Sequence, residues 1–236
     1  MAYLVCNSSP PTADQDALLT FREVETLFHE FGHGLQHMLT TVKYPAAAGI
    51  SGVEWDAVEL PSQFMEYFCY RKETLNNISC HVNTGESLPT VLQDKLIAAR
   101  KYRAASTMLR QVYFSLLDLQ VHHQKDASLD LLKVQHDMAR QYSILPPHPK
   151  DRFLCAFSHI FAGGYSAGYY SYKWAELLAC DAYEVVEETS VPEAGARFRD
   201  TVLSLGGSVH PSTVFTTFRG RDMTPEALLR RYGLCK

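Results

Sequence analysis

The chain has 236 residues, enough for one domain with a sizeable hydrophobic core. It carries 22 Lys and Arg against 26 Asp and Glu, a net charge of −4, and it has no block of basic residues, which argues against a nucleic-acid-binding surface. No apolar run approaches the ~18 residues that span a bilayer, so the sequence offers no transmembrane helix and no membrane partner.

The start of the chain and its cysteines both predict a protein of the cytoplasm or of an organelle interior. Residues 1–7 lack the basic start, the apolar stretch and the small-residue cleavage site of a secretory signal. The six cysteines show no paired spacing and no C-x-x-C motif, which is typical of reduced thiols inside cells. Short strands are expected at most near residues 3–6 and 48–53.

The first helix is predicted from Thr20 to about Thr40. Thr20 and Glu23 have the spacing of a capping box, and apolar residues recur at helical spacing beyond them. Gly32 and Gly34 weaken the interior of this helix by roughly 1 kcal/mol each relative to alanine. Glycine at these positions is reasonable if another element approaches the helix backbone closely.

The predicted helix contains an H-E-x-x-H motif formed by His29, Glu30 and His33. One helical turn separates the two histidines, so both imidazoles project from the same face and can bind one zinc ion. The glutamate between them can reach a water molecule on that ion, which is the arrangement of a metallopeptidase. The alternative is a buried helix whose histidines are satisfied by packing alone.

A catalytic zinc site needs a third protein ligand, and two residues are candidates. His37 continues the histidine row, but eight residues of helix rise about 12 Å, which is too far for His37 to share an ion with the first histidine. Glu59 lies in a segment of helical periodicity, residues 53–66. This segment follows a connection rich in Gly, Pro and Ala (residues 45–52), which is long enough to bring it back against the first helix.

Three more acidic residues could orient the ligands from outside the coordination sphere. Glu25 lies one helical turn before His29. Asp56 lies one turn before Glu59, and Glu66 lies two turns after it. For each of the three, a solvated or purely structural carboxylate is an equally good interpretation.

Beyond residue 70 the pattern is mostly helical. A long amphipathic helix is predicted over residues 94–124 and another over 131–142, which the proline-rich segment 146–149 ends. A last helix is predicted over 224–233, between an N-cap threonine and a closing glycine.

A tyrosine-rich segment follows a predicted helix that carries His159. A double glycine ends that helix, and a long helix then continues to about Glu188. Tyr165, Tyr169 and Tyr172 fall at helical spacing on one face. A phenol can donate a hydrogen bond to a developing oxyanion, so these rings are candidates for catalysis. The alternative is an aromatic packing face.

These motifs resemble those of the thimet oligopeptidase family of zinc metallopeptidases, and most closely its oligopeptidase A branch. The resemblance is carried by HEFGH, by WDAVELPSQ and by FSHIFAGGYSAGYYSYKW, and it continues through LGG and FRGR near the end. It therefore covers essentially the whole chain. It implies a mainly α, zincin-like helical domain that binds one Zn²⁺ per chain and hydrolyses short peptides.

The resemblance also implies roles for individual residues. His29, His33 and Glu59 correspond to the zinc ligands, and Glu30 corresponds to the catalytic base. It implies that Tyr169 and Tyr172 donate hydrogen bonds to the oxyanion. It implies that His159 and Tyr165 bind the substrate. In thimet oligopeptidase itself one fewer residue separates the histidine from the double glycine, so that assignment follows the oligopeptidase A branch.

Members of this family are much longer chains. Residues 1–236 are therefore expected to be the C-terminal part of the catalytic domain of a larger helical peptidase, acting as a monomer. The N-terminal part of the family chain forms much of the opposite wall of the substrate channel. The alternative is a zinc-binding helical module that has no turnover without that part.

Overall fold

The computed structural model describes residues 2–125, 128–145 and 147–235, and helices dominate them, which confirms the predicted mainly α class. None of these helices combines the length and the apolar character needed to cross a membrane. The α-helices in the described residues are α1 (Phe21–Met38), α2 (Leu60–Glu66), α3 (Lys72–Ile78), α4 (Thr90–Ala99), α5 (Ala104–His123), α6 (Leu131–Tyr142), α7 (Phe153–Ala156), α8 (Ser171–Glu188), α9 (Val191–Phe198), α10 (Pro211–Arg219) and α11 (Glu226–Tyr232).

Several helix boundaries follow the local signals in the sequence. The capping box at Thr20 is present, with the Thr20 side chain accepting from the Glu23 N–H and the Glu23 carboxylate accepting from the Thr20 N–H. Helix α6 has the predicted bounds and begins behind Asp130, whose carboxylate caps two N–H groups. Helix α8 ends at Glu188 as predicted. Pro146, the first residue of the proline-rich segment, lies outside the described residues.

The short strands allowed near residues 3–6 and 48–53 are absent from the described residues. Residues 3–6 belong to no regular element. Residues 48–53 form turns around Gly49 and Gly52, whose φ angles of 62° and 73° are left-handed. Left-handed glycines reverse the chain within a few residues, which is incompatible with an extended strand.

The predicted single helix over residues 94–124 is two helices, α4 and α5. They are separated by a turn that ends at Arg103, which has a left-handed φ of 55°. The guanidinium of Arg100 lies over the rings of Tyr67 and Tyr70, 4.4 and 4.3 Å from their centroids. This contact with a distant segment holds residue 100 in place, and amphipathic periodicity contains no sign of it.

Two further helices are shorter than predicted. The 53–66 segment becomes helical only at Leu60, and turns precede it. The helix expected to carry His159 ends at Ala156, so His159 lies in a short 3₁₀ turn, Ser158–Ile160. Tyr165 and Tyr169 lie in the loop that follows, and Tyr172 lies in the first turn of α8. The three tyrosines therefore do not share one helix face.

Two hydrophobic clusters build the core. The first joins α2 to α8, α9, α10 and α11, and in it the rings of Phe64 and Phe198 stack at 4.0 Å. The second lies between α5, α6 and α7 and includes Phe114, Phe157 and Tyr169. Helix α1 packs on α2, at the edge of the first cluster. The candidate site lies where α1, α2 and residues 163–170, called the tyrosine loop below, meet.

Candidate metal centre

Close packing at Gly32 brings the H-E-x-x-H helix against α2. A Cβ atom added to Gly32 would lie 2.5 Å from both the carbonyl oxygen of Pro61 and the Cα of Ser62. Only glycine allows this approach, because no backbone atom can move aside as a flexible side chain would. The packing places Glu59, the residue just before α2, beside the two histidines of α1.

His29, His33 and Glu59 converge on one point. Their nearest donor atoms all lie within 4.8 Å of one another. The Nε2 atoms of His29 and His33 are 3.2 and 3.1 Å from Oε2 of Glu59. Two ligands bound about 2.0–2.1 Å from zinc at a tetrahedral angle are about 3.3 Å apart. The spacing of these donors therefore fits a zinc ion.

The hydrogen bond of His29 supports the same interpretation. Its Nδ1 lies 2.7 Å from Oε1 of Glu66, and because a carboxylate only accepts, Nδ1 carries the proton. In a neutral His29, the lone pair of Nε2 then faces the carboxylate of Glu59. Two electron-rich atoms repel each other at this distance unless a metal ion or a second proton lies between them. The ring N–H held by a carboxylate is the common arrangement around zinc-bound histidines.

The charges around His29 reinforce this need for a cation. Burial lowers the pKa of His29, but hydrogen bonds and charges from Glu59 and Glu66 outweigh it and raise the pKa to about 10. Burial likewise opposes ionisation of Glu59, but hydrogen bonds from His29 and His33 bring its pKa well below the usual range. The pocket thus favours a carboxylate together with positive charge. Nδ1 of His33 is buried and has no hydrogen-bond partner among the described residues.

Glu59 is buried, and its carboxylate is held from two sides. The hydroxyl of Tyr165 donates to Oε1 at 2.6 Å, and the hydroxyl of Ser62 donates to Oε2 at 2.8 Å. The indole of Trp55 stacks on Tyr165 with 5.0 Å between centroids, and its N–H donates to the carbonyl of Gly164. Tyr165 is therefore fixed toward Glu59.

The tyrosine rings form a continuous cluster although they do not share a helix. Tyr172 stacks on Tyr165 at 4.6 Å and lies 5.2 Å from Tyr169. The exposed ring of His159 stands edge-on to Tyr169 and Tyr172, at 5.8 and 6.2 Å. The hydroxyl of Tyr169 donates to Oε1 of Gln111 at 3.2 Å.

Glu30 lies on α1, which faces the cluster of tyrosine rings. Burial raises the pKa of Tyr172, a hydrogen bond with Tyr165 opposes this, and the charges of Glu59 and Glu30 raise it further. The charge of Glu30 therefore acts on Tyr172. It also lines a cavity of about 280 Å³ between α1 and residues 5–8.

Of the remaining predicted residues, Glu66 contacts the candidate zinc ligands, and Glu25, Asp56 and His37 have other partners or surroundings. Glu66 bonds His29, as described. Glu25 instead accepts from the Tyr70 hydroxyl at 2.5 Å, and Asp56 accepts from the Tyr170 hydroxyl at 3.1 Å. His37 is exposed and lies beside Gly49, outside the group of converging donors.

Three residues with roles in this geometry were given none from the sequence: Trp55, Ser62 and Asp118. Ser62 follows Glu59 by three positions, and that spacing at the start of a helix is a detectable signal. Trp55 lies in one of the motifs noted above, but nothing local shows that its ring reaches Tyr165. The carboxylate of Asp118 accepts from the backbone N–H groups of Ala167 and Tyr169. These residues lie about fifty positions later in the chain, so no local pattern shows the contact.

Comparison with known proteins identifies the family of the chain. The model of peptidase family M3 matches residues 1–234. Similar curated proteins include a probable cytosolic oligopeptidase A and an organellar (chloroplastic/mitochondrial) oligopeptidase A of Arabidopsis thaliana, each 52% identical over 99% of this chain. Oligopeptidase A of Escherichia coli is 49% identical over 99% of the chain. The chain covers 34%, 31% and 35% of these relatives, so it spans about a third of their length.

Proposed function

The chain belongs to peptidase family M3, and from that premise we propose that it hydrolyses peptide bonds in short peptides with one zinc ion. His29, His33 and Glu59 would hold the ion, since two imidazoles and one carboxylate are a donor set of catalytic zinc. The observation that carries the proposal is the convergence of these donors within 4.8 Å on one side of α1.

A bound zinc ion would supply Lewis acidity, which polarises a peptide carbonyl and makes a water molecule more acidic. Glu30 is the proposed base, which takes a proton from the attacking water and later gives it to the leaving amine. Its position directly after His29 in α1 and the effect of its charge on Tyr172 support this role. Glu66 would orient His29 through the bond to Nδ1.

The aromatic residues have proposed roles in holding the peptide. Tyr169 and Tyr172 would donate hydrogen bonds to the oxyanion that forms from the carbonyl, and burial, which raises the pKa of both phenols, keeps them protonated. The Tyr169 hydroxyl, which donates to Oε1 of Gln111, would turn from that oxygen to the oxyanion. The exposed His159 would bind the peptide backbone. Tyr165, proposed to do the same, already donates its hydroxyl to Glu59, so its contribution to peptide binding would come from its ring and from holding that carboxylate.

Residues 1–236 would be a C-terminal part of an M3 catalytic domain, and the chain would act as a monomer on short peptides. The names of its relatives place those proteins in the cytosol or in chloroplasts and mitochondria, and we propose the same kinds of compartment for this chain.

Turnover separates this proposal from a zinc-binding module without activity. The zinc-loaded chain is expected to cleave a quenched fluorescent octapeptide and to stop when the chelator 1,10-phenanthroline is added. Glu30→Gln keeps the side-chain shape but cannot take the proton, so kcat is expected to fall by about 10²–10⁴-fold with zinc retained.

Glu193→Gln on the exposed surface of α9 is the matched control and should leave kcat unchanged. A zinc-loaded chain that never cleaves the peptide would favour the inactive module. Near-normal kcat in Glu30→Gln would remove Glu30 as the base.

A further inference from the structure

Asp118 is a fully buried carboxylate on α5 whose hydrogen bonds reach the tyrosine loop. Oδ1 accepts from the backbone N–H of Ala167 at 2.9 Å, and Oδ2 accepts from that of Tyr169 at 2.8 Å. Nδ1 of His122, one turn further along α5, lies 2.8 Å from Oδ1 and donates to it. An ionised carboxylate is costly to bury unless such bonds satisfy it, and two of the three come from the loop.

The loop, residues 163–170, needs support because its backbone is held in an unusual conformation. Ala167 has a φ of 54°, in the left-handed region that residues with a Cβ atom rarely adopt. The two N–H groups bound by Asp118 flank Gly168 on either side. The carboxylate of Asp118 therefore holds the turn that contains the strained Ala167.

This turn is connected directly to the candidate metal centre. The N–H of Gly168 donates to the carbonyl of Tyr165 at 2.9 Å, and the hydroxyl of Tyr165 donates to Glu59 at 2.6 Å. The ring of Tyr172 stacks on that of Tyr165 at 4.6 Å. A displaced turn would therefore shift the Tyr165 hydroxyl and the neighbouring rings together.

We propose that Asp118 is a positioning residue for peptide hydrolysis, a role that rests on the proposed function. It fixes residues 163–170 so that Tyr165 reaches Glu59 and so that Tyr169 and Tyr172 keep their places beside the scissile bond. Asp118 contacts none of the three zinc-binding candidates, so its effect passes through the loop backbone. A displacement of about 1 Å in catalytic groups can reduce a rate by on the order of 100-fold.

The test compares Asp118→Asn with Asp137→Asn, which alters an exposed carboxylate of α6 that pairs with Lys133. An asparagine at position 118 has nearly the same size but turns an NH₂ group toward one of the two loop N–H donors. Hydrogen–deuterium exchange of the 236-residue chain is expected to be at least about 10-fold faster at residues 167–169 in Asp118→Asn, with α5 and α6 still protected. The Asp137 variant should exchange as the unmodified chain does.

Kinetics with the quenched octapeptide distinguish positioning from a purely structural role. Asp118→Asn is expected to lower kcat by about 100-fold with KM changed by less than about threefold, at a temperature where the variant is fully folded. Unchanged exchange at 167–169, or unchanged kcat beside an active unmodified chain, overturns the proposal. An inactive unmodified chain would count against the proposed function instead, and the exchange comparison would still decide whether Asp118 holds the loop.

A gentler variant covers the case in which Asp118→Asn does not fold. His122→Ala removes the hydrogen bond that orients the carboxylate, so both of its bonds to the loop N–H groups are expected to weaken without being abolished. Faster exchange at 167–169 together with a lower kcat is then expected. Exchange and kcat equal to those of the unmodified chain would overturn the proposal.

Discussion

Glu59 illustrates at the residue scale how one side chain combines several segments. Its carboxylate meets two imidazoles from α1, the hydroxyl of Ser62 from α2 and the hydroxyl of Tyr165 from the tyrosine loop. Each of these bonds satisfies a group that would be costly to bury alone. Because the residue is buried with this set of partners, a change at Glu59 would disturb packing and metal binding at once.

The histidines allow a cleaner prediction about the metal. His33→Ala should reduce zinc, measured by plasma mass spectrometry after dialysis, from one ion per chain to near zero, because it removes one of three converging donors. His37→Ala on the same helix should leave the zinc content intact, because His37 lies outside that group. Equal loss of zinc in both variants would show that the ligand set is wrong.

At the scale of elements, the contact between α1 and α2 depends on Gly32. Gly32→Ala would place a methyl group 2.5 Å from backbone atoms of α2, so the helices must separate. We expect a loss of at least about 1–3 kcal/mol in the free energy of unfolding, measured by urea denaturation, together with weaker zinc binding.

Gly195 is the matched control for this prediction, since it also lies in a helix, α9, but a Cβ atom there would meet nothing within 4 Å. Gly195→Ala should stabilise the chain by about 0.5–1 kcal/mol, because alanine loses less backbone entropy in a helix. Equal stability changes in the two variants would mean that the close approach at Gly32 has no energetic consequence.

The helices that could be predicted from the sequence are those whose ends are determined by neighbouring residues. The capping box at Thr20 and the cap at Asp130 act over three positions, so a linear pattern contains them. The break before Arg103 lies beside Arg100, whose guanidinium lies over two tyrosine rings some thirty positions earlier in the chain. Periodicity alone cannot show such a contact, so two helices were predicted as one.

The same distinction applies to the candidate site. The two histidines and Glu30 lie within one helical turn and were evident from spacing. The periodicity of residues 53–66 made Glu59 a candidate for the third ligand, and the family resemblance supported that assignment. The bonds from Asp118 to the loop join residues about fifty positions apart, and the left-handed Ala167 gives no sequence signal as a glycine would.

At the scale of the whole molecule, one buried charge joins three of the helices in the first core cluster. Asp181 on α8 is fully buried and bonds Arg219 from α10, Arg221 and the backbone N–H of Thr224, just before α11. Burial raises the pKa of Asp181, but Arg221, Arg219 and the Thr224 N–H outweigh it and lower the pKa below its ordinary value.

Because the pKa is lower in the folded than in the unfolded state, the stabilisation from Asp181 should be complete above the unfolded value of about 3.9 and should disappear as pH falls through the folded value. Asp181→Asn should cost about 1.5–3 kcal/mol at pH 7, because it removes the charge of a buried carboxylate that accepts hydrogen bonds from two arginines and a backbone N–H. Urea denaturation at pH 7 and pH 3 should show a smaller difference between variant and unmodified chain at pH 3. Asp200→Asn, on an exposed carboxylate, should have little effect. A pH-independent difference for Asp181→Asn would contradict this account.

The proposed zinc ion should also stabilise the molecule as a whole. Its ligands come from α1 and from the residue before α2, and Tyr165 connects Glu59 to the loop of the second core cluster, so the site joins both parts of the core. Anything that binds only the folded state stabilises it by mass action, by about 4 kcal/mol at a free concentration 1,000 times Kd. For a chain of this size that corresponds to a rise in Tm of roughly 8–16 °C. Differential scanning calorimetry should show this rise on addition of zinc to the metal-free chain and to His37→Ala, but not to His33→Ala. A similar rise in His33→Ala would mean that zinc acts at another place on the molecule.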